Sequence, residues 1–291
     1  MKERSSPNGE LTTHQSEALM AAVIIARSTS FVISKTAVAA MSPFNILAVR
    51  FLTAFAILIL LFHQQLKRCT QRIFRNGILL GITYTFVMGF EMMGIQFAET
   101  SVASLIENSA FMLVPFLEII FLHAFPKRKV IIGMLLAFCG LLVLNVSPGM
   151  RFQTGWLYLF AAMAFYSVAI FLTSVFAKEG EPLLVGIIQI GTMGFLSLAC
   201  SLLFEQFRLP SSGKEWMMIL MLAVVCSVFG FMLQPVAQRG LDADRAGMFS
   251  VLNPLAAIVW GNLILKEPIT PAKIIGASFI LLGIIFPVIL Q

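Results

Sequence analysis

Five ionisable side chains stand where a charge is costly: Arg27, Arg50, Glu91, Glu107 and Glu118 each interrupt a long apolar stretch of the 291-residue sequence. A charge at the centre of a bilayer costs roughly 2.5 kcal/mol or more on insertion scales, so each group needs a partner, water or a ligand. An arginine offers paired N–H donors to a carboxylate. A carboxylate accepts an ammonium group or, when desolvated, carries a proton. Counted along their stretches, Arg50, Glu91 and Glu107 each lie about six or seven residues from an outer helix end, or roughly 10 Å at 1.5 Å per residue. They are expected to share one layer. Arg27 is expected deeper, and Glu118, about three turns beyond Glu107, points to nearly the same helix face. The first four stretches can therefore line a polar cavity. The competing reading is structural: Arg50 pairs with Glu91 or Glu107 and ties helices together. Two carboxylates exceed what one arginine requires, so Glu91 and Glu107 are also candidates for proton coupling. Lys35, near a helix end, can snorkel to the headgroups.

The elements that carry these groups are ten apolar segments near 17–38, 43–62, 77–97, 100–123, 129–147, 155–177, 182–204, 215–237, 245–265 and 271–290. With 59% hydrophobic and 12% charged residues, a soluble core could not use the apolar surface. The expected fold is an all-α integral membrane protein. The net charge of +6 does not point to nucleic acid, because the basic residues sit in short loops such as Lys67, Arg68, Arg72 and Arg75, or Lys127, Arg128 and Lys129. If those loops are cytoplasmic, the inner segments hold most of the Lys and Arg residues, which puts both termini in the cytoplasm. Trp156, Trp216 and Trp260 then fall near the outer interface, where an indole is favoured as an anchor. Residues 1–16 read as a short disordered tail. The four cysteines show no disulfide framework or metal pattern, and no cofactor or metal is expected.

The last five segments look like a second copy of the first five. Pro43-Phe44-Asn45-Ile46-Leu47 pairs with Pro182-Leu183-Leu184-Val185-Gly186, and Ile131-Ile132-Gly133 through Gly140 pairs with Ile274-Ile275-Gly276 through Gly283. Ala103 matches Ala246, Leu122 matches Leu265, and Thr53 matches Thr192. Because the repeat is an odd number of helices, the second copy enters from the opposite side, giving two inverted five-helix repeats over 17–148 and 152–291. Where the first copy has Arg27-Ser28 and Arg50, the second has Tyr166-Ser167 and Gln189, so charge comes from one wall and hydrogen bonding from the other. The candidate substrate-binding set is Arg27, Arg50, Glu91, Glu107, Tyr166 and Gln189. Pro115, Pro235 and Pro254 are hinge candidates, since a missing N–H frees carbonyls and bends a helix. Gly133, Gly140, Gly276 and Gly283 mark small faces suited to helix packing.

The ten segments, the Ser30–Lys35 stretch SFVISK, the Pro43–Arg50 entry into the second segment, TSVAS at Thr100–Ser104, and Lys266-Glu267-Pro268 followed by the glycine-spaced close resemble the EamA-type branch of the drug/metabolite transporter superfamily. The resemblance covers residues 17–290. It implies a central cavity surrounded by segments one to four and six to nine, with five and ten as peripheral supports. It also implies export of amino acids, metabolites or drugs from bacteria. Two positions depart from the family: Arg27-Ser28 stands where a Trp-Gly pair is usual, and His123-Ala124 stands where the second copy has Lys266-Glu267.

The expected function is secondary transport by alternating access, exporting a small polar or zwitterionic metabolite such as an amino acid across a bacterial inner membrane. An Arg would hold the carboxylate and a Glu the ammonium, while Phe and Met residues accommodate the side chain. Efflux of cationic or guanidinium-like compounds is the nearest alternative, favoured if the carboxylates are unpaired. An anion such as a nucleotide sugar would need the arginines free. A non-transporting sensor or intramembrane enzyme is the alternative of another class. The sequence has no HExxH, GxSxG or Walker A motif, and its three histidines lie in the tail or near helix ends, so no enzyme is expected. The partners expected are a small-molecule substrate and the bilayer, with the chain a monomer or homodimer.

Overall fold

The computed structural model describes residues 11–98, 103, 106–123, 125–145, 154–265 and 271–289. Most of Thr100–Ser104, all of Lys266–Pro268, Ala124 and the boundary between the expected repeats lie outside the described residues. Among the described residues every regular element is a helix. They are α1 Thr13–Val38, α2 Pro43–Leu66, α3 Gln71–Phe97, α4 Val114–Leu122, α5 Arg128–Asn145, α6 Gly155–Glu179, α7 Pro182–Phe204, α8 Gly213–Gln238, α9 Ala243–Phe249, α10 Leu252–Leu265 and α11 Pro271–Ile289.

Local chemistry fixes where these helices start. The Thr12 hydroxyl accepts from Gln15 N while the Gln15 side chain accepts from Thr12 N, a reciprocal cap on α1. Thr70 caps α3 by accepting from Ile73 N, and Ser212 caps α8 by accepting from Glu215 N. Pro43 and Pro182 occupy the first turns of α2 and α7, where a missing N–H costs nothing. Among the described residues six helices, α1, α2, α3, α6, α7 and α8, are long and apolar enough to cross a membrane. Their outer surfaces carry large exposed apolar side chains such as Leu60, Leu203 and Phe204, each about three-quarters exposed. Water would not tolerate so much of it, whereas lipid does. The chain is thus a multi-pass membrane protein.

Helix packing runs across the two halves of the chain. α2 lies on α7, α5 on α11, and α3 on α6, much as α1 lies on α8. The α5–α11 contact depends on glycine. A Cβ at Gly140 would stand 2.7 Å from Gly276 O, and one at Gly283 would stand 2.5 Å from Gly133 O. The backbones therefore touch, which is how helices gain dispersion energy where no water is expelled between them.

Several helices are interrupted. α2 leaves helical geometry at Phe62, the end expected for the second segment, where φ is −118° and ψ is 20°. A 3₁₀ turn at Ser109–Met112 precedes α4, and α9 and α10 are separate where one segment was expected. All three proline hinge candidates sit beside such features. Pro115 is in the first turn of α4, Pro254 is the third residue of α10, and Pro235 follows a π-helix inside α8.

Both ends of the bundle are tied by polar contacts. At one end the Glu205 carboxylate caps α2 by accepting from Phe44 N at 3.1 Å and Asn45 N at 2.9 Å. Arg208 there donates to Ala40 O at 2.6 Å and pairs with Glu215 at 2.9 Å. At the other end Arg245 pairs with Glu17 at 2.7 Å and Asn76 donates to Glu179 at 2.9 Å. Lys35 also acts on a helix end, donating to Ala98 O at 3.1 Å, so it closes α3 where the sequence suggested a headgroup contact.

Replacing Gly140 by Val should force α5 and α11 apart and cost about 1–3 kcal/mol. Thermal unfolding in detergent checks this, with a lowered Tm expected for Gly140→Val and none for Gly213→Ala, whose Cβ would meet open space.

Candidate functional site

The buried charges are assembled by helices from both halves. α1 supplies Arg27 and Ser30, α2 supplies Arg50, α3 supplies Tyr84 and Glu91, and α6 supplies Tyr166. α8 contributes Ser227, Phe231 and Gln234, and Glu107 stands just before the 3₁₀ turn that leads to α4. Arg27 is 8% exposed and Arg50 fully buried, so neither guanidinium can leave its N–H groups to bulk water.

The second half meets that need. Arg27 Nη1 donates to Gln234 Oε1. Gln234 Nε2 in turn donates to the Tyr84 hydroxyl at 2.7 Å, so one amide side chain is held at both ends. Arg50 Nε donates to Ser227 Oγ at 2.9 Å and Nη1 to Ser30 Oγ at 3.1 Å. Both cations approach the ring of Phe231, Arg27 Cζ at 4.0 Å and Arg50 Cζ at 5.8 Å from its centroid. Phe51 and Tyr84 meet that ring edge to face, at 5.6 Å and 5.2 Å. Such packing leaves ring faces to the cations, whose attraction to the quadrupole is strongest when both are desolvated. Arg27 also lies 5.8 Å from the ring centroids of Tyr84 and Tyr166.

The backbone of α8 is unusual where it serves this cluster. Leu222–Phe231 is a π-helix, and Ser227 Oγ donates to Leu222 O five residues back at 3.1 Å. π-helical geometry is rare and concentrates at functional sites. Gly230 belongs to the same stretch, and a Cβ there would stand 2.6 Å from Arg27 Cγ, so only glycine lets α8 come this near.

The carboxylates complete the cluster without closing ion pairs. Glu91 and Glu107 are 3% and 4% exposed, and both lie within electrostatic reach of Arg27. Among the described residues neither is within 4.0 Å of an arginine nitrogen. Among the fully buried atoms of the cluster, Arg50 Nη2 has no acceptor and Glu107 Oε2 no donor from the described residues. Glu91 lies within electrostatic reach of Arg50 as well as of Arg27. No cluster of three or more His, Cys, Asp or Glu side chains suited to a metal occurs among the described residues.

The structure brings together Arg27, Arg50, Glu91, Glu107 and Tyr166 of the sequence-derived set. Arg27 and Arg50 share the ring of Phe231. Direct pairing of Arg50 with a glutamate is replaced by hydroxyl contacts from Ser30 and Ser227, while the Gln234 amide holds Arg27. Gln189 is buried on α7, with Met193 Sδ at 4.0 Å and no partner for Oε1 among the described residues. Glu118 stands apart from the cluster, since the 3₁₀ turn at Ser109–Met112 breaks the helical phase that linked it to Glu107. Trp260 is not a simple interfacial anchor: its Nε1 donates to Ser28 Oγ at 3.0 Å, beside Arg27.

Sequence reasoning missed Tyr84, Ser227, Phe231 and Gln234. One signal was present: the register that pairs Ala103 with Ala246 and Leu122 with Leu265 also pairs Glu91 with Gln234.

The Arg27–Gln234 bond should show as energetic coupling. A double-mutant cycle with Arg27→Met and Gln234→Leu is expected to give about 1.5–3 kcal/mol between the sites, the size of a hydrogen bond to a charged group. Thermal unfolding of the four proteins measures it, and additive effects would contradict the contact.

Comparison with known proteins agrees with this architecture. The model of the EamA-like transporter family matches residues 16–146 and again residues 153–289. The uncharacterized transporter YetK of Bacillus subtilis (strain 168) is 25% identical over 288 residues, covering 93% of this chain and 86% of that one. An uncharacterized transporter of Archaeoglobus fulgidus is 26% identical over 267 residues, covering 91% of this chain and 83% of its own length. A protein of known crystal structure superposes with a TM-score of 0.79 at 19% identity, over 95% of this chain and 97% of that one, which is a likeness of fold. The chain belongs to the EamA-like transporter family, within the drug/metabolite transporter superfamily.

Proposed function

We propose that this protein is a secondary transporter that moves small zwitterionic metabolites such as amino acids by alternating access, exporting them across a bacterial inner membrane with both termini cytoplasmic. Ten membrane segments in two inverted repeats supply the two conformations. The pairings of α2 with α7 and α5 with α11, with α3–α6 matched by α1–α8, support that symmetry.

One observation carries the substrate class. Among the fully buried atoms of the cluster, Arg50 Nη2 and Glu107 Oε2 are without a hydrogen-bond partner from the described residues. A substrate carboxylate on the first and its ammonium on the second would satisfy both. An interaction of this kind is worth most where water is excluded. Phe231, Tyr84 and Tyr166 surround Arg27 and supply the apolar surface nearest to the cluster.

A second reading has its own support. Glu91 and Glu107 form no ion pair with the arginines, which favours a cationic or guanidinium-like substrate lacking a carboxylate. The free Arg50 donor weighs for the zwitterion, since a pure cation would be repelled by two adjacent guanidiniums.

Thermal-shift titration of the purified protein with amino acids, organic cations and organic anions separates these readings. A ligand at 100 times its Kd adds about 2.7 kcal/mol to stability. Stabilisation by amino acids that disappears in Arg50→Ala and in Glu107→Gln is expected. Stabilisation by cations alone, lost only in Glu107→Gln, would establish the second reading. In proteoliposomes, Arg27→Ala and Glu107→Gln are each expected to lower transport at least tenfold, equivalent to about 1.4 kcal/mol. Wild-type rates in both would overturn the proposal.

Proton coupling through Glu91 or Glu107 is the corresponding proposal for energy. An imposed pH gradient is expected to accelerate transport by the wild type but not by Glu91→Gln or Glu107→Gln, whichever carries the proton. Rates indifferent to the gradient and to both substitutions would exclude it.

A further inference from the structure

A cavity of about 550 Å³ lies well away from the arginine cluster, between α4, α5, α6 and the start of α9. Its size suits a small organic ligand. Apolar side chains from three elements line it, among them Leu122, Val130 and Val175. Its polar wall contains two carboxylates that are almost entirely buried, Glu118 at 7% and Asp244 at 6% exposure.

The charges around this cavity do not cancel at those two residues. Lys178 is directed to Asp242 at 3.4 Å, and Arg245 to Glu17 at 2.7 Å. Among the described residues no cationic side chain comes within 4.0 Å of Glu118 or Asp244. Glu118 Oε1 accepts from Ala243 N at 3.2 Å, and Asp244 Oδ1 accepts from the neighbouring Arg245 N at 2.6 Å. The second Asp244 oxygen accepts no hydrogen bond from the described residues, although the residue lines the cavity and is more than nine-tenths buried. Two buried carboxylates facing an open space with apolar walls call for a cationic donor. Lys127 and Lys129 also line the cavity, and Lys127, exposed at its rim, is within electrostatic reach of Asp244.

We propose that this cavity is a second binding site, taking the primary ammonium group of a small molecule with an apolar body, with Glu118 and Asp244 as its acceptors. A primary ammonium has three donors, enough to reach both carboxylates at once. If the cavity faces the cytoplasm, as the basic loop Lys127–Lys129 suggests, an exported amine or amino acid would meet it before the arginine cluster. The proposal rests on the zwitterion reading only for that assignment of the ligand to the substrate. The same headgroup chemistry occurs in aminophospholipids, and the test separates the two sources.

n-Butylammonium is the probe, with butyrate as the control of opposite charge. The measurement is made in the Glu107→Gln protein, which removes the Glu107 carboxylate of the arginine cluster, and any stabilisation through Glu91 is identified by its persistence when Glu118 or Asp244 is also replaced. Thermal stabilisation by butylammonium, absent with butyrate and lost in Glu107→Gln/Glu118→Gln and Glu107→Gln/Asp244→Asn, is expected. Should those double variants fail to fold, modification of Glu118 by dicyclohexylcarbodiimide in the otherwise native protein provides the second readout, followed by peptide mass spectrometry. Butylammonium is expected to slow that labelling in phosphatidylcholine nanodiscs. Slow labelling without added amine in phosphatidylethanolamine nanodiscs would make the lipid headgroup the occupant of the same site. Labelling indifferent to butylammonium and to both lipids, or stabilisation that persists in the double variants, would overturn the proposal. Loss of amino-acid binding in Arg50→Ala with protection of Glu118 intact would show that the two sites fail or hold independently.

Discussion

Two guanidinium groups cannot be buried in a bundle of apolar helices unless their N–H donors are met, and the centre of this protein is arranged around that requirement. An unpaired charge at low dielectric costs far more than any single packing contact returns. Arg27 and Arg50 come from α1 and α2, yet three of the acceptors that hold them come from elsewhere: Ser227 and Gln234 from α8, and the ring of Phe231 between them. The two halves of the chain are thereby joined by electrostatics, where apolar contact alone offers little preference for one partner over another in lipid. Removing α8 from this position would leave both arginines exposed to an apolar interior.

The local geometry of α8 follows from the same demand. A π-helical stretch at Leu222–Phe231 sacrifices regular hydrogen bonding, which is tolerated because Ser227 bridges Arg50 and the Leu222 carbonyl. Pro235 then removes a further N–H within one turn of the stretch. Breaks recur near the other charged positions. The 3₁₀ turn follows Glu107, and the gap between α9 and α10 falls at Ser250, the residue paired with Glu107 in the register that matches Ala103 to Ala246. Irregular backbone at membrane depth is admissible where it is buried in protein or borders a polar space, and each of these breaks borders buried polar residues. They are the places where a helix can change direction without breaking a full ladder of bonds.

The periphery shows the opposite pattern. α5 and α11 carry no role in the cluster and meet through glycines at backbone contact, with large apolar residues such as Leu135 and Leu282 turned outward. Rigid, close packing there and broken, polar packing at the centre divide the molecule into a support and a working part. The cavity beside Glu118 lies between these regions, where α5 borders α4, α6 and α9.

Membrane class, approximate helix positions and the identity of the buried charges were legible in the sequence because lipid imposes one-dimensional rules. Long apolar runs must be helices, and a charge within one is conspicuous. Arg27, Arg50, Glu91 and Glu107 were found in this way, and the glycine spacing of α5 and α11 indicated their packing. Partner choice was not legible, because helices can rotate about their axes without altering hydropathy. Phe231 is one phenylalanine among 27, and nothing in its neighbours distinguishes it until α8 turns it toward both arginines. Gln189 was placed by pseudo-equivalence with Arg50, whereas tertiary packing gave the corresponding work to Ser227 and Gln234. Glu118 was assigned to the face of Glu107 by counting residues, whereas beyond a single 3₁₀ turn it lines a cavity away from the arginine cluster. Sequence alone determined which groups must be satisfied, since desolvation depends on depth in the membrane. Only the tertiary structure decided what satisfies them, since that depends on the rotation of each helix and on where the backbone departs from 3.6 residues per turn.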